Sequence, residues 1–250
     1  MQRSILLFAA LALALAACGG GDGGATSTTE IPTTTAPETP TTTSPDTTTT
    51  TSETTTTTSP AGEPVDFGPR EGDTVAVIGV AHDDVLNLRV GPGADSEIVA
   101  EIPNTFAGLT ALGNTRDLGE SFWIEVEYEG TTGWVHFSFI GYIGVTDDMT
   151  AAVLEELGDG PVAETMADIG LAVAETFASD EPASEIVMVV APTVGDLGEV
   201  TYDVIGIGDD AVRGFRVHVF GQPADETFEI KSVEVTTLCG RGVTEDGLCT

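Results

Sequence analysis

The sequence predicts a mixed fold: a small all-β barrel followed by an α+β domain, with two helices on an antiparallel sheet of about four strands. Three observations indicate this. Residues 65–145 contain short alternating or β-branched segments between regularly spaced turns, a pattern typical of a small barrel or sandwich. Residues 148–178 show apolar positions at helical spacing. Four further strand-like segments then complete residues 146–250.

The chain is strongly acidic, which limits the partners it can hold by charge. Its 250 residues include 41 acidic and 8 basic ones, for a formal net charge of -33. Affinity for nucleic acid comes from Lys and Arg that neutralise phosphates, so this charge argues against a nucleic-acid partner. It argues equally against a polybasic contact with anionic lipid.

The first 17 residues have the form of an export signal. Arg3 is followed by an apolar run over residues 5–17, which is too short to span a bilayer as a helix and suits the core of a signal peptide. The run ends in the sequence Leu-Ala-Ala-Cys at Cys18 and resembles the bacterial lipobox. The resemblance implies that a lipid on Cys18 anchors the mature chain to the cell membrane, outside the cytoplasm. The alternative is an ordinary secretory signal with a chance Cys.

Residues 18–64 are predicted to form a disordered stalk behind the lipidated Cys18. Of the 46 residues in the range 19–64, 20 are Thr and none is aromatic or basic. Such a segment cannot bury enough apolar area to offset its ordering entropy. The sequence therefore predicts a solvated tether that holds the rest of the chain away from a membrane, with or without sugars on Thr.

The predicted barrel, residues 65–145, contains six strand-like segments. Some alternate apolar and polar residues, as in residues 123–128, and others are β-branched, as in residues 74–78. Gly, Pro and Asn mark the turns between them. The segments are residues 74–78, 85–90, 97–102, 106–112, 123–128 and 133–136.

Two motifs in the barrel resemble the bacterial SH3-like (SH3b) domain, over roughly residues 72–144. The first is the Leu-Asn-x-Arg-x-Gly-Pro turn at residues 86–92, and the second is a Trp-x-x-Val-x-Tyr strand at residues 123–128 followed by Gly-Trp-Val at residues 133–135. Family members usually end in Tyr-Leu after that strand, where Phe139-Ile140 stands here. The resemblance implies a binding or positioning module that acts on cell-wall peptides or on an envelope protein.

Five residues of these motifs are candidates for ligand binding, because aromatic surface with a few polar anchors is typical of ligand grooves. The alternative for Asn87 and Arg89 is that they hold the turn that follows them. Trp123 is expected to belong to the core, and Trp134 is expected to be the most exposed of the set. The candidates are Asn87, Arg89, Trp123, Tyr128 and Trp134.

The second unit, residues 146–250, is predicted to place two helices on a sheet. Apolar residues recur at helical spacing over residues 151–157 and 162–177. Strand-like runs follow, and the Gly-Asp-Asp and Gly-Gln-Pro turns make neighbouring strands antiparallel. These runs are residues 185–191, 199–207, 212–220 and 227–238.

Cys239 and Cys249 are the remaining thiols once Cys18 is assigned to the lipid. In an exported protein such a pair is expected to form a disulfide. The ending from Thr237 to Cys249 also resembles secreted actinobacterial modules of uncharacterised function.

The sequence contains no assembled catalytic set, and no metal or cofactor is predicted. His82, His136 and His218 lie far apart without metal-ligand spacing, and the two in strands are expected to be solvated. The favoured function is a non-enzymatic envelope lipoprotein. Two alternatives remain open: a carboxylate-based hydrolase with its site in the second unit, and a lipoprotein that docks a protein partner through that unit.

Overall fold

The structure is a computed structural model that describes residues 59–158 and 162–250. The predicted signal peptide, Cys18 and the predicted stalk up to residue 58 lie outside the described residues. No helix in the described part of the chain is long and apolar enough to cross a membrane.

The first half consists of short antiparallel strands whose alternating sequence places one face on a common core. Glu63 and Pro64, at the end of the predicted stalk, pair with the long fifth strand. The strands are β1 (Glu63–Pro64), β2 (Thr74–Val77), β3 (Val85–Arg89), β4 (Ile98–Pro103), β5 (Ala107–Asp117), β6 (Phe122–Tyr128), β7 (Thr131–His136) and β8 (Ile140–Asp148), with a 3-10 helix at Phe137–Phe139 before β8.

The second half contains two short helices and five strands. The two last strands are 13 residues each and form a long hairpin. The elements are α1 (Thr150–Leu157), β9 (Val162–Ala163), α2 (Met166–Glu175), β10 (Glu185–Val194), β11 (Gly198–Ile205), β12 (Val212–Ala224) and β13 (Thr227–Cys239).

The predicted fold class, a barrel followed by a separate α+β domain, is wrong. The described strands form one antiparallel sheet of thirteen strands. Eleven of them follow the order β10-β11-β12-β13-β8-β2-β5-β6-β7-β3-β4, while β1 pairs with β5 and β9 pairs with β13. The cause is β8, which the sequence analysis did not assign. It pairs with β13 of the second half on one side and with β2 of the first half on the other. The fold is therefore mostly β, with α1 and α2 as short additions.

The second helix begins four residues later than the apolar spacing predicted. Thr165 caps it, because its hydroxyl oxygen accepts the Asp168 N–H at 3.1 Å and donates to the Asp168 carboxylate at 2.6 Å. Val162 and Ala163 instead pair with β13 as the short strand β9. The buried face of α2, which includes Ile169 and Val173, lies in the same apolar cluster as Val200 and Val217 of the sheet.

Two arginines of β12 attach the second half to the first. The Arg216 guanidinium contacts both oxygens of the fully buried Asp203 at 2.8 and 2.9 Å, and it also donates to the Val77 carbonyl at 3.0 Å. Asp203 in turn accepts the Gly79 N–H at 2.8 Å. Arg213 donates to the carbonyls of residues 137 and 140 at 3.0 Å. The contact between the two halves thus includes buried polar side chains, and these have hydrogen-bond partners.

The predicted disulfide is confirmed: Cys239 is bonded to Cys249, with 5.2 Å between their Cα atoms. The loop that it closes lies against β8, where the Val145 N–H donates to the Gly247 carbonyl at 2.9 Å. Gly144 makes this close approach possible, because a Cβ atom there would lie 2.9 Å from that same carbonyl oxygen.

Candidate functional site

A groove of about 430 Å³ lies where the first half meets the edge strand β10. We call it the groove. Its walls combine aromatic rings, aliphatic side chains and a few charged groups, the composition expected of a small ligand site. It is lined by Gly79, Val80, Ala81, Asp84, Val85, Leu86, Asn87, Arg89, Ala94, Trp123, His136, Phe139, Glu185 and Val187.

The pleat of β3, β6 and β7 explains why the motif residues come together. Trp123 lies directly opposite His136, and Arg89 lies opposite Trp134, in the antiparallel pairs of these strands. Opposed residues share one face of a sheet, and their sequence neighbours point to the other face. Several of those neighbours, among them Ile124, are fully buried in the first-half core. Alternation therefore separates a packing face from a face that carries the groove.

Arg89 holds the turn that follows β3 and also lines the groove. Its Nη1 donates to the Ser96 carbonyl at 2.6 Å, and the Ser96 hydroxyl accepts the Gly91 N–H at 2.8 Å. These bonds bring Ala94 to the groove wall. Asn87, two residues before Arg89 on the same strand, also lines the groove. Of the two alternatives for Arg89, the structure thus supports the turn role, and ligand contact stays a prediction.

Three rings form the aromatic part of the groove. The Trp123 and His136 rings meet edge to face with 5.4 Å between centroids, and His136 lies 5.6 Å from the Phe139 ring. The Trp123 indole is 5% exposed and donates to the Ser121 hydroxyl at 3.1 Å, whereas Phe139 is 38% exposed. A ligand would therefore meet Phe139 more fully than Trp123.

His136 is not the solvated histidine that the sequence predicted. Its Nδ1 accepts the Ser138 N–H at 3.2 Å, which caps the 3-10 helix. Burial, and then the positive charge of Arg213, lower the pKa of His136 below its ordinary value of 6.5. The neutral ring is therefore favoured in the fold, and a protonated Nδ1 could not accept this bond.

We expect the lowered pKa of His136 to make stability depend on pH in one direction. The unfolded chain gains a proton near pH 6.5 while folded His136 stays neutral, so the free energy of unfolding falls as the pH drops from about 7 through 6.5. The fall ends once the pH is below the folded pKa. Urea denaturation across this range measures it, and the imidazole proton shifts of His136 in NMR give the pKa directly.

The control for this titration is His136→Asn. Its side-chain oxygen can accept the Ser138 N–H but takes up no proton, so this contribution to the pH dependence should disappear from the difference between the two proteins. A pKa of His136 at or above 6.5 would contradict the prediction.

Trp134 and Tyr128 do not line the groove. Trp134 is 4% exposed, so the expectation that it is the most exposed candidate is wrong. It lies where β7 comes very close to β3, since a Cβ atom on Gly133 would be 2.7 Å from the Arg89 carbonyl oxygen. Tyr128 packs edge to face on Phe106, 5.0 Å between centroids, against the first-half core. The groove thus unites three of the five candidates: Asn87, Arg89 and Trp123.

Sequence reasoning missed several groove residues. Phe139 could have been found from the sequence, because Phe139-Ile140 stands where members of the resembled family usually have Tyr-Leu. Asp84 carried no signal of its own, because paired acidic residues at a turn are usually solvated. Glu185 and Val187 carried no signal, because they belong to the half of the chain that was assigned to a separate domain.

A polar cleft of about 740 Å³ lies elsewhere on the surface, lined by residues 65–71, 112–114, Gly240 and Arg241. We call it the polar cleft. Arg241 there is paired with Asp210 at 2.7 Å. The cleft has no aromatic side chain apart from the exposed Phe67. Its exposed lining is mostly polar, whereas that of the groove is mostly apolar.

The described residues contain no cluster of side chains suited to a metal ion. No group of three or more His, Cys, Asp or Glu side chains in residues 59–158 and 162–250 could hold a metal ion. The fully buried carboxylate of the second half, Asp203, is engaged by Arg216 and by the Gly79 N–H. An acid or base committed to such a pair is not free for proton transfer to a substrate.

Comparison with known proteins gives a family match for the first-half part of the groove. No curated protein and no solved structure matches the chain. The match that does occur covers β3 to the start of β8 and includes the groove residues from Asp84 to Phe139. Residues 84–141 match the family model of the bacterial SH3 domain, which is typically a binding module and often related to the cell wall.

Proposed function

We propose that the groove binds a peptide of the cell wall and that the protein is a non-enzymatic envelope lipoprotein that holds this groove outside the cytoplasm. One observation carries the proposal. The stretch that matches a family of binding modules forms most of a groove with an exposed aromatic ring, Phe139. Exposed rings beside a few polar anchors suit an extended peptide, which presents both apolar and hydrogen-bonding groups.

The charge of the protein supports contact through rings and backbone groups. Residues 65–250 carry 35 acidic and 7 basic residues. Anionic wall polymers are repelled by such a surface. Affinity for the wall would therefore come from the exposed ring of Phe139 and from the hydrogen-bonding groups of Asn87 and Arg89.

Co-sedimentation of the full chain with purified peptidoglycan at physiological salt tests wall binding. We expect retention of the protein, and Phe139→Ala should weaken it about tenfold, the loss of a typical anchor side chain. The matched control is Phe122→Ala. Phe122 is 37% exposed, as Phe139 is 38% exposed, but it lies outside the groove. Absence of retention, or an equal loss in both variants, would contradict the proposed site.

The lipid anchor is tested separately. The supporting feature is the lipobox-like sequence that ends at Cys18, followed by the Thr-rich residues 19–64. Labelled palmitate should be incorporated into the protein in cells and lost in Cys18→Ala. Label that persists in this variant would refute the anchor and leave the groove untouched.

A further inference from the structure

The groove is built by both halves of the described chain. Glu185 and Val187 of β10 line it together with residues from β3, β6 and β7. Two backbone groups of β10 are held by the first half: the His82 N–H donates to the Met188 carbonyl at 2.9 Å, and the Asn104 amide donates to the Val189 carbonyl at 2.6 Å. The edge strand is thus held beside the groove at residues 188 and 189, and the exposed Glu185 lies on the same strand.

A first-half part of the groove lining, at Gly79, is held in turn by the second half. Gly79 lines the groove, and its N–H donates to the buried Asp203, which is held in turn by Arg216. The same guanidinium holds the Val77 carbonyl. Because hydrogen bonds between the two halves hold both β10 and Gly79, the groove is preorganised and a ligand need not order it on binding.

Carboxylates outnumber cations in this lining. Asp84 and Glu185 are acidic, and Arg89 is the single cation of the groove as the structure describes it. The Arg89 guanidinium is already bonded to the Ser96 carbonyl at 2.6 Å. One Asp84 oxygen accepts the Val85 N–H at 2.8 Å, and the side chain is exposed, so its charge remains available to a ligand.

The exposed ring of Phe139 and the overall charge of the chain also favour a cationic ligand. Phe139 is 38% exposed, and the face of an aromatic ring attracts cations through its π electrons. A molecule with a net charge of -33 concentrates cations in its clefts, where apolar walls focus the field. The carboxylates of the groove, the Phe139 ring and the long-range field therefore all favour a cationic ligand.

We propose that the ligand is a peptide with a free primary ammonium group, and that this group pairs with the carboxylates of Asp84 and Glu185 while its alkyl part packs on Phe139. The inference rests on the proposed function of the groove as a peptide site. It assigns Glu185, and with it the second half of the chain, a direct part in ligand selection.

Two probes that differ in one charge test the inference. The first is the blocked tripeptide acetyl-Ala-Lys-Ala-amide, and the second is the same peptide with the Lys amine acetylated. We expect the free amine to bind the full chain at least tenfold more tightly in calorimetric titration. In Glu185→Gln this preference should fall at least fivefold. Glu229→Gln, which removes another exposed carboxylate of the same sheet outside the groove, should keep this preference.

The outcomes separate this inference from the proposed function. Equal binding of both peptides, or an unchanged preference in Glu185→Gln, would overturn the ammonium assignment and leave the groove as a peptide site. Binding of neither peptide, together with absent retention on peptidoglycan, would contradict both. A preference lost equally in Glu185→Gln and Glu229→Gln would show that overall charge, rather than Glu185, selects the amine, and would also overturn the inference.

Discussion

Replacing Arg216 with Met should destabilise the fold by about 3–5 kcal/mol, because it leaves the buried Asp203 carboxylate without its counter-ion. Asp203 has no exposed surface, and the Arg216 side chain is 15% exposed. Water therefore cannot replace the two hydrogen bonds of 2.8 and 2.9 Å that the guanidinium makes. The same substitution frees the Val77 carbonyl. Equilibrium denaturation in urea measures the loss.

The matched control is Arg241→Met. Arg241 also contacts an aspartate, Asp210, at 2.7 Å, but the two side chains are 58% and 76% exposed. Exposed ion pairs contribute about 0–1 kcal/mol, so this variant should stay close to the parent protein. If both variants lost the same stability, burial would not be what makes the Asp203 pair important, and the account of the joint between the halves would be wrong.

Local periodicity made the individual strands predictable. The alternation in residues 85–90 and 123–128 is visible because one face of each strand packs on the core and the other does not. The motifs in these strands also marked Asn87, Arg89 and Trp123 as candidates for ligand binding, and all three line the groove. The same reasoning failed for Trp134, because alternation gives the side of the sheet on which a residue lies and not what covers it.

The way the halves join could not be read from local patterns. β8 carries glycines at residues 141 and 144, which weaken a strand pattern but here allow close approach to Ile78 and to the disulfide loop. Pairing of β8 with β2 and β13 depends on contacts between residues far apart in the chain. One sequence signal did exist: Asp203 interrupts an apolar run, and a carboxylate in a buried strand requires a partner.

The groove residues could be predicted from the sequence only in part. Its first-half residues follow from motifs that the sequence displays, and the family match covers them. Glu185 lies on an edge strand whose outer side is covered by the loop around His82 and by Asn104. Edge strands are commonly protected from unwanted pairing. Here that protection also brings a carboxylate of the second half to the groove.

Trp134→Ala should cost about 3–5 kcal/mol of stability, as truncation of a large buried aromatic side chain usually does. Trp134 is 4% exposed and lies outside the groove. Its partner for comparison is Phe139→Ala, which removes a half-exposed ring of the groove and should cost about 1 kcal/mol or less. Ligand binding, measured at a temperature where each variant remains folded, should show the reverse order.

This pair of variants separates folding from binding within one motif-bearing sheet. Trp134 faces Arg89 across β3 and β7, so its loss loosens the strands without removing a surface that a ligand contacts. Phe139 follows β7 on the 3-10 helix, where Arg213 fixes the backbone from the second half. Retained binding in Trp134→Ala and weakened binding in Phe139→Ala would place recognition in the groove. The opposite pattern would place recognition at Trp134, outside the groove, and remove the argument for Glu185.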